Sequence, residues 1–457
     1  MVTRFDLIIS GGVAVLPDRT VQADIGIVDG KIAEIGSLDV REASDVFVAT
    51  GLHVLPGVID TQVHFREPGL EHKEDLETGS RAAILGGVTA VFEMPNTNPP
   101  TTSAEALRDK LSRASGRMFC DHAFFVGGTP ENIAELSEFE RLPGCAGIKV
   151  FMGSSTGALL VEDEAVLRAI LTQLTRRSSY HCEDEARLRE RKPLAEAGNP
   201  STHPVWRDEI AALKATERLV RLAEELQKPV HVLHVSTAEE MAFLNEHKSS
   251  GFVSVEVTPH HLTLVAPDAY DRLGTLVQMN PPVRDERHRD ALWAAVASGL
   301  VDVLGSDHAP HTKEEKKKPY PQSPSGMPGV QTLVPVMLDH VNAGRLSLER
   351  FCDLTSAAPA RLFGISNAGR IAPGYDANFT IVDLNAEREI GNSWIASRCG
   401  WTPYDGMRVR GWPMATLLRG QVAMLDGAIL SDPLGKPVRF EHERDDGERA
   451  GGHVNSQ

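Results

Sequence analysis

Side chains that can bind a metal recur at the ends of short apolar runs in this chain. DTQVHFREPG contains His64 and Arg66, HVLHVS contains His234, GSDHAPHT contains Asp307, and His181 follows a fourth run. Imidazole and carboxylate ligands suit Zn²⁺, which at a catalytic site keeps one position for water. A carboxylate such as Asp307 can also accept a proton. These residue types therefore predict a hydrolytic metal site.

Gln62 stands where such a site favours histidine. Two histidines separated by one residue on a strand point the same way and can share a metal, but here only His64 is present. A neutral amide is a poor zinc ligand beside imidazole. Gln62 therefore enters the predicted ligand set only as a weak donor.

Lys149 lies inside the apolar strand pattern GIKVFMGS. Burying an ammonium group is costly. The alternative is a strand at the edge of a sheet, from which the side chain reaches solvent. The strand and helix patterns described below predict a closed barrel, which has no edge strand. We therefore interpret Lys149 as a functional residue that points into the site.

His231 and His234 are three residues apart in HVLHVS. Side chains alternate along a strand, so this spacing predicts that they lie on opposite faces. We expect His234, nearer the end of the strand, to reach the site and His231 to be a packed structural residue.

The middle of the chain alternates strand patterns with helical patterns. Eight strands that each feed a helix predict an α/β fold, a (β/α)8 TIM-like barrel, in which reactive side chains come from the C-terminal ends of the strands. Their apolar runs are typical of strands buried on both faces. The strand patterns are GVIDTQVHF, VTAVFEMPN, CDHAFFVGG, AGIKVFMGS, SSYHCED, PVHVLHVS, FVSVEVTPHH and VDVLGSDHAPH.

The two ends of the chain are rich in β patterns with glycine turns. We predict that residues 1–55 and 366–438 pair into one small β-sandwich domain around the barrel of residues 56–365. Residues 439–457 are polar and without periodicity, which predicts a flexible tail.

Composition limits the classes of partner. The net charge of -16 argues against nucleic acid and anionic membranes. The five cysteines form no CxxC pair, which favours a reduced cytoplasmic protein, and no apolar run is long enough to span a membrane. The phosphate-loop pattern GxxxxGK[ST] and the serine-hydrolase pattern GxSxG are both absent.

Several motifs together closely resemble those of the cyclic amidohydrolases, and most of all the dihydroorotases. The resemblance covers about residues 5–430 and implies a barrel with a β-sandwich, and one or two zinc ions at the barrel mouth. It implies that Lys149 reacts with CO₂ to form a bridging carbamate, that His181 and His234 hold one metal, and that His64 and Asp307 hold the other. The motifs are DTQVHFREPG, FEMPNTNP, GIKVFMGSSTG, HVLHVSTAEE, EVTPHHLTL, QMNPPVRDE and GSDHAPHT.

The resemblance also implies a substrate. Arg66, Asn96 and His311 match the residues that grip the substrate carboxylate in dihydroorotases, and Asn280 in QMNPPVRDE is a further substrate-binding candidate. The implied reaction is the reversible ring opening of L-dihydroorotate to N-carbamoyl-L-aspartate in pyrimidine biosynthesis, with Asp307 moving the proton.

Two segments near these motifs carry predictions of their own. The segment TKEEKKKPYPQSPSGMPG, residues 312–329, follows Asp307 and should border the site with its lysines in solvent. The segment GSSTG, residues 153–157, is predicted to form a turn with backbone donors.

The departure at Gln62 leaves alternatives open. The enzyme could work with one tightly held zinc, or with two of which one is labile. A chain of another class, a catalytically inactive structural partner of a carbamoyltransferase, is the third alternative. Allantoinase and dihydropyrimidinase or hydantoinase activities are the alternative reactions, and the family implies a homo-oligomer, dimer or tetramer, that acts on a small molecule.

Overall fold

The computed structural model describes residues 4–154 and 159–443. Residues 155–157 of the predicted turn and residues 444–457, which are most of the predicted tail, lie outside this range. No helix within the described residues is long and apolar enough to cross a membrane. The strands are β1 Phe5–Val15, β2 Thr20–Val28, β3 Lys31–Gly36, β4 Ala43–Val48, β5 His53–Pro56, β6 Val58–Val63, β7 Val88–Glu93, β8 Asp121–Gly127, β9 Cys145–Phe151, β10 Ser178–His181, β11 Val230–Val232, β12 Val253–Val257, β13 Val303–Leu304, β14 Phe379–Ile390, β15 Met407–Leu418, β16 Gln421–Leu425 and β17 Ala428–Ile429.

Strands β6 to β13 form one parallel sheet in chain order, and each matches one of the eight predicted strand patterns. The two ends of the sheet meet, because Val63 forms a parallel bridge with His308 and the His64 amide donates to the His308 carbonyl at 2.7 Å. Closure into a barrel brings the C-terminal ends of all eight strands into one ring. The predicted α/β barrel is confirmed.

The barrel strands are buried on both faces, as their apolar sequences predict. One face packs against the surrounding helices, and the other forms a smaller cluster that includes Ile59, Phe92 and Phe125. Phe363 and Phe440 join this inner cluster. The helices are α1 Leu76–Leu85, α2 Ala104–Ala114, α3 Leu136–Phe139, α4 Glu164–Gln173, α5 Glu185–Arg191, α6 His203–Trp206, α7 Glu209–Leu226, α8 Ala238–His247, α9 Pro259–Thr263, α10 Asp268–Leu273, α11 Glu286–Ser298, α12 Lys313–Lys316, α13 Leu333–Asn342, α14 Leu348–Cys352 and α15 Ala358–Phe363.

A second, mostly antiparallel sheet is built from both ends of the described chain. Strand β5 connects its two parts, because β5 pairs with β1 on one side and with β14 on the other. The chain leaves this sheet at Pro56 and enters the barrel at Val58. The predicted β-sandwich from both termini is confirmed as part of the fold class.

The predicted tail at residues 439–457 begins too early. Phe440 is fully buried beside Phe92, and its backbone pairs with Ile365. The buried ring of Phe440 and the backbone hydrogen bonds of Arg439 with Ser366 and of Glu441 with Gly364 hold this part of the chain on the barrel.

Candidate active site and metal centre

One cavity lies at the C-terminal ends of the barrel strands and gathers nearly all of the predicted site residues. His311 is the exception, and it lies behind the cavity wall. The lining residues are Gln62, His64, Arg66, Asn96, Lys149, Phe151, His181, His234, Met279, Asn280, Asp307, Ala309, Ser325 and Gly326.

Three of these residues have left-handed backbone conformations. The φ angles are 66° at Arg66, 38° at His234 and 46° at Asp307. Residues other than glycine seldom adopt such angles, and they cluster at functional sites where the surrounding structure compensates the strain. Each of the three follows a barrel strand directly or closely, so the turn of the backbone redirects its side chain into the ring of strand ends.

His181 and His234 form the first pair of predicted metal ligands. His181 Nδ1 and His234 Nε2 lie 3.0 Å apart, and both side chains are buried. Burial lowers the pKa of each imidazole. Both rings are therefore neutral at physiological pH, which is the form that binds metals.

Glu183, which was not among the predicted site residues, orients His181. His181 Nε2 donates to a Glu183 carboxylate oxygen at 2.9 Å, and Arg207 Nε donates to the same carboxylate at 3.0 Å. Burial would raise the pKa of Glu183, but Arg207 and His181 outweigh it and lower the pKa. A carboxylate on the outer nitrogen of a ligand histidine fixes its tautomer. The available signal was the acidic residue two positions after the histidine in HCED.

His64 and Asp307 form the second pair. His64 Nδ1 lies 2.6 Å from Asn96 Oδ1, and with the ring proton on Nδ1, donated to this oxygen, Nε2 is a lone-pair donor to metal. Nε2 lies 3.1 Å from Asp307 Oδ1. Burial would raise the pKa of Asp307, but in the metal-free site a proton on His64 Nε2, hydrogen-bonded to this carboxylate, lowers it to about 2. Two electron-pair donors thus face each other at a distance that suits two ligands of one cation.

Lys149 lies in the same cavity with an amine that has no hydrogen-bond partner among the described residues. The side chain is 1% exposed, and burial lowers its pKa to about 7. A large part of the amine is therefore neutral and nucleophilic near pH 7. An unpaired buried amine is costly, and conversion to an anionic carbamate beside metal ions would remove that cost.

Gln62 points into the cavity as the sequence predicts. Its side chain is 1% exposed, and Oε1 has no hydrogen-bond partner within residues 4–154 and 159–443. This unpaired oxygen is available to a metal or a substrate. It remains a weaker metal donor than an imidazole.

The donor set fits zinc only if Lys149 takes part. No group of three or more histidine, cysteine, aspartate or glutamate side chains converges anywhere in the described part of the chain. The cavity instead holds two pairs, and a tetrahedral zinc site needs further ligands. A carbamate on Lys149 would supply an anionic oxygen to each pair, and the orphaned amine is in place to form it.

Arg66 is a buried cation without an acidic partner. Its side chain is 3% exposed, and it forms no salt bridge with any described residue. Nε donates to the Pro310 carbonyl at 3.2 Å, and burial lowers the pKa to about 10, so the group stays charged. A desolvated guanidinium that lines a cavity is suited to a planar anion.

His311 supports Arg66 from behind. His311 Nε2 lies 3.3 Å from Arg66 Nη2 and 3.0 Å from the Ser325 carbonyl, to which it can donate. Lys73 Nζ lies 3.2 Å from Nδ1. Both ring nitrogens therefore have protein partners, so in this arrangement His311 contacts Arg66 and the cavity wall.

The prediction that His231 and His234 lie on opposite faces is wrong. Strand β11 ends at Val232, and the left-handed backbone at His234 breaks the alternation. His231 packs against Phe363 of the inner cluster, with Nε2 3.3 Å from Glu256. It does not line the cavity. Its predicted structural packing agrees with these contacts.

The lysines of the segment 312–329 were predicted to lie in solvent, and this is wrong for Lys316. Ser325 and Gly326 of this segment line the cavity, as its predicted position beside the site requires. Lys316, however, is fully buried. Helix α12 turns its side chain inward, which a count of charged residues could not reveal.

Comparison with known proteins places the chain among enzymes of one family. The Amidohydrolase family profile matches residues 53–423. The dihydroorotase of Halobacterium salinarum is 38% identical over 432 residues, which cover 93% of this chain and 98% of the relative. The dihydroorotase of Pyrococcus furiosus is 35% identical over 442 residues, with 95% and 97% covered. The solved L-hydantoinase (dihydropyrimidinase) from Arthrobacter aurescens superimposes with a TM-score of 0.91 at 32% identity, covering 95% of this chain and 99% of that chain.

This chain belongs to the amidohydrolase family. The resemblance to cyclic amidohydrolases, and above all to dihydroorotases, is confirmed, and so is the predicted class of enzyme, a hydrolase of C–N bonds. The part that each cavity residue plays in that chemistry remains a prediction.

Proposed function

We propose that this chain is a zinc-dependent dihydroorotase, which interconverts L-dihydroorotate and water with N-carbamoyl-L-aspartate. The dihydroorotase relatives span nearly its whole length. The observation that carries the choice of substrate is the buried guanidinium of Arg66, which forms no salt bridge with a described residue and lies in the same cavity as the predicted metal ligands. Dihydroorotate carries a carboxylate that this group can bind, whereas dihydrouracil and allantoin carry none.

The predicted ligands divide into two groups. His181 and His234 would hold one zinc ion, His64 and Asp307 with the weak donor Gln62 would hold a second, and a CO₂-derived carbamate on Lys149 would serve both. The orphaned amine of Lys149 supports this assignment. When bound, zinc lowers the pKa of water from about 15.7 towards about 7 and polarises the scissile carbonyl.

The residues of the chain supply binding and proton transfer. Arg66 binds the substrate carboxylate and so fixes the ring in the cavity. The amides of Asn96 and Asn280 line the same cavity and can hydrogen-bond the ring. Asp307 is ionised at neutral pH because its pKa is lowered. It takes a proton from the attacking water as the C–O bond forms and gives it to the ring nitrogen as the C–N bond breaks. In ring closure it accepts the proton from the carbamoyl nitrogen.

Hydantoinase activity is the second candidate, because the Arthrobacter aurescens enzyme of that name has nearly the same fold. A hydantoin ring without a carboxylate would leave the buried guanidinium of Arg66 without a salt-bridge partner, which is unfavourable. This is the reason to rank dihydroorotate first.

The state of the cysteines bears on the cellular compartment. All five cysteines are buried and free, which suits a reducing compartment. We expect a cytoplasmic homo-oligomer, a dimer or a tetramer, that acts on a small molecule in pyrimidine biosynthesis.

The test is a substrate panel for the chain loaded with zinc and bicarbonate. We expect turnover of L-dihydroorotate to exceed that of hydantoin, dihydrouracil and allantoin. Turnover of hydantoin alone would favour the second candidate. No turnover of any ring would contradict both, and would favour a structural partner of a carbamoyltransferase.

A further inference from the structure

The side chain of Lys316 ends in an amino group that is buried beneath the wall of the cavity. Its side chain is fully buried, and Nζ donates to the carbonyls of Gln278 at 3.0 Å, Pro324 at 2.9 Å and Gly326 at 2.9 Å. Burial lowers the pKa of Lys316 to about 7, whereas the three carbonyl acceptors favour the protonated form, whose three N–H donors each have a backbone acceptor. The ring of Trp401 lies 6.0 Å from Nζ. No carboxylate forms a salt bridge with Lys316 in the described residues.

The three carbonyls belong to two separate segments that both form the cavity. Gln278 directly precedes Met279 and Asn280, and Pro324 directly precedes Ser325 and Gly326. The two segments are also bonded to each other, because the Gly326 amide donates to the Gln278 carbonyl at 2.9 Å. Lys316 thus joins two pieces of the substrate-binding wall that are about fifty residues apart in the chain.

The same wall reaches the predicted carboxylate site. The Ser325 carbonyl lies 3.0 Å from His311 Nε2, and Trp401 Nε1 donates to the His311 carbonyl at 2.8 Å. His311 in turn contacts Arg66. A shift of Ser325 would therefore be transmitted through His311 to the guanidinium.

We propose that Lys316 is a positioning residue that fixes the two wall segments and thereby sets the affinity for the carboxylate-bearing ring. The identity of the substrate in this proposal rests on the proposed function. The geometry of the wall does not depend on that function. Charge-assisted hydrogen bonds to a buried cation are stronger than neutral ones, and three of them hold a segment that is otherwise long and irregular. Loss of the ammonium leaves three buried carbonyls without this donor, which loosens the wall.

The first test uses Lys316→Met, Lys316→Gln and the control Lys317→Met, in which the neighbouring exposed lysine is replaced. For Lys316→Met we expect KM for dihydroorotate to rise by about tenfold or more, with kcat within about threefold of native. Lys316→Gln retains part of the hydrogen bonding and should fall between, and Lys317→Met should match the native chain. An unchanged KM with a lower kcat would indicate a merely structural role and overturn the proposal, as would an equal effect of Lys317→Met.

The second test is independent of turnover. Amide hydrogen exchange is measured without substrate on the full chain, and the Gly326 amide should exchange at least about tenfold faster in Lys316→Gln than in the native chain. Equal exchange would overturn the wall proposal even if dihydroorotate is the substrate. Faster exchange without dihydroorotate turnover would overturn the proposed function alone. If Lys316→Met does not fold, Lys316→Gln carries both measurements.

Discussion

Glu183 fixes the orientation of His181, since its carboxylate accepts a hydrogen bond from His181 Nε2 at 2.9 Å. The opposite nitrogen, Nδ1, is left to face His234 at 3.0 Å. Arg207 holds the carboxylate in place. The metal centre that we propose therefore depends on a residue that does not itself face the cavity.

Glu183→Gln should weaken zinc binding, because an amide can present the wrong group to His181 and lacks the charge that Arg207 pairs with. We expect about a 10- to 100-fold loss of zinc affinity, measured by competition with a chelator. Glu225→Gln is the matched control, since Glu225 forms an exposed ion pair with Arg168. Equal zinc affinity in Glu183→Gln and the native chain would show that His181 needs no such support.

Recovery of activity after metal removal should depend on CO₂ as well as zinc. Burial lowers the pKa of Lys149 to about 7, so the neutral amine that attacks CO₂ becomes more abundant as pH rises through this value. We expect zinc to restore activity severalfold faster with bicarbonate than in CO₂-depleted buffer, and, at equal concentrations of dissolved CO₂, faster at pH 8 than at pH 6. Lys149→Met should bind less zinc and show no bicarbonate effect. Recovery that is independent of CO₂ would contradict the carbamate.

Gln62→His should increase the amount of zinc that the chain retains. The imidazole would add a strong donor beside His64 and Asp307, so we expect retention to rise from about one towards about two ions per chain. Metal analysis after dialysis measures this, with Gln62→Ala as the control that adds no donor. The same zinc content in all three chains would mean that Gln62 does not decide how many metals are held.

Glu256 should make the metal-free protein less stable as pH rises. Burial raises its pKa from 4.5 to about 8, so the folded chain holds a proton that the unfolded chain has lost between these values. Stability is then full below about pH 4.5 and falls as pH rises towards 8. Glu256→Gln cannot ionise, so its melting temperature relative to native should increase between pH 5 and pH 8.5. The same difference in melting temperature between Glu256→Gln and the native chain at both pH values would refute this.

Much of the fold could be predicted because each barrel strand has its own local signal. The eight apolar runs are fixed by burial on both faces, and the polar residues at their ends mark the side of the barrel where the chemistry lies. The bridge between Val63 and His308 closes the ring, and this bridge is a long-range contact that no local pattern encodes.

The parts of the site that the sequence did not reveal depend on backbone turns and distant contacts. His234 reaches the cavity only through its left-handed backbone, so strand alternation misjudged its relation to His231. In the sequence, Lys316 cannot be distinguished from its solvated neighbours. Its burial depends on contacts with Gln278 and Gly326, which the local sequence does not show. Glu183 is understood only once Arg207 is beside it.

The choice of substrate is tested most directly by the ratio of kcat/KM for dihydroorotate to that for dihydrouracil, in the native chain and in Arg66→Met. Removal of one partner of a buried charge pair costs about 2–5 kcal/mol, so we expect the ratio to fall by about 100-fold, with dihydrouracil little changed and Arg66→Lys intermediate. An unchanged ratio in Arg66→Met would contradict the claim that this guanidinium selects a carboxylate-bearing ring.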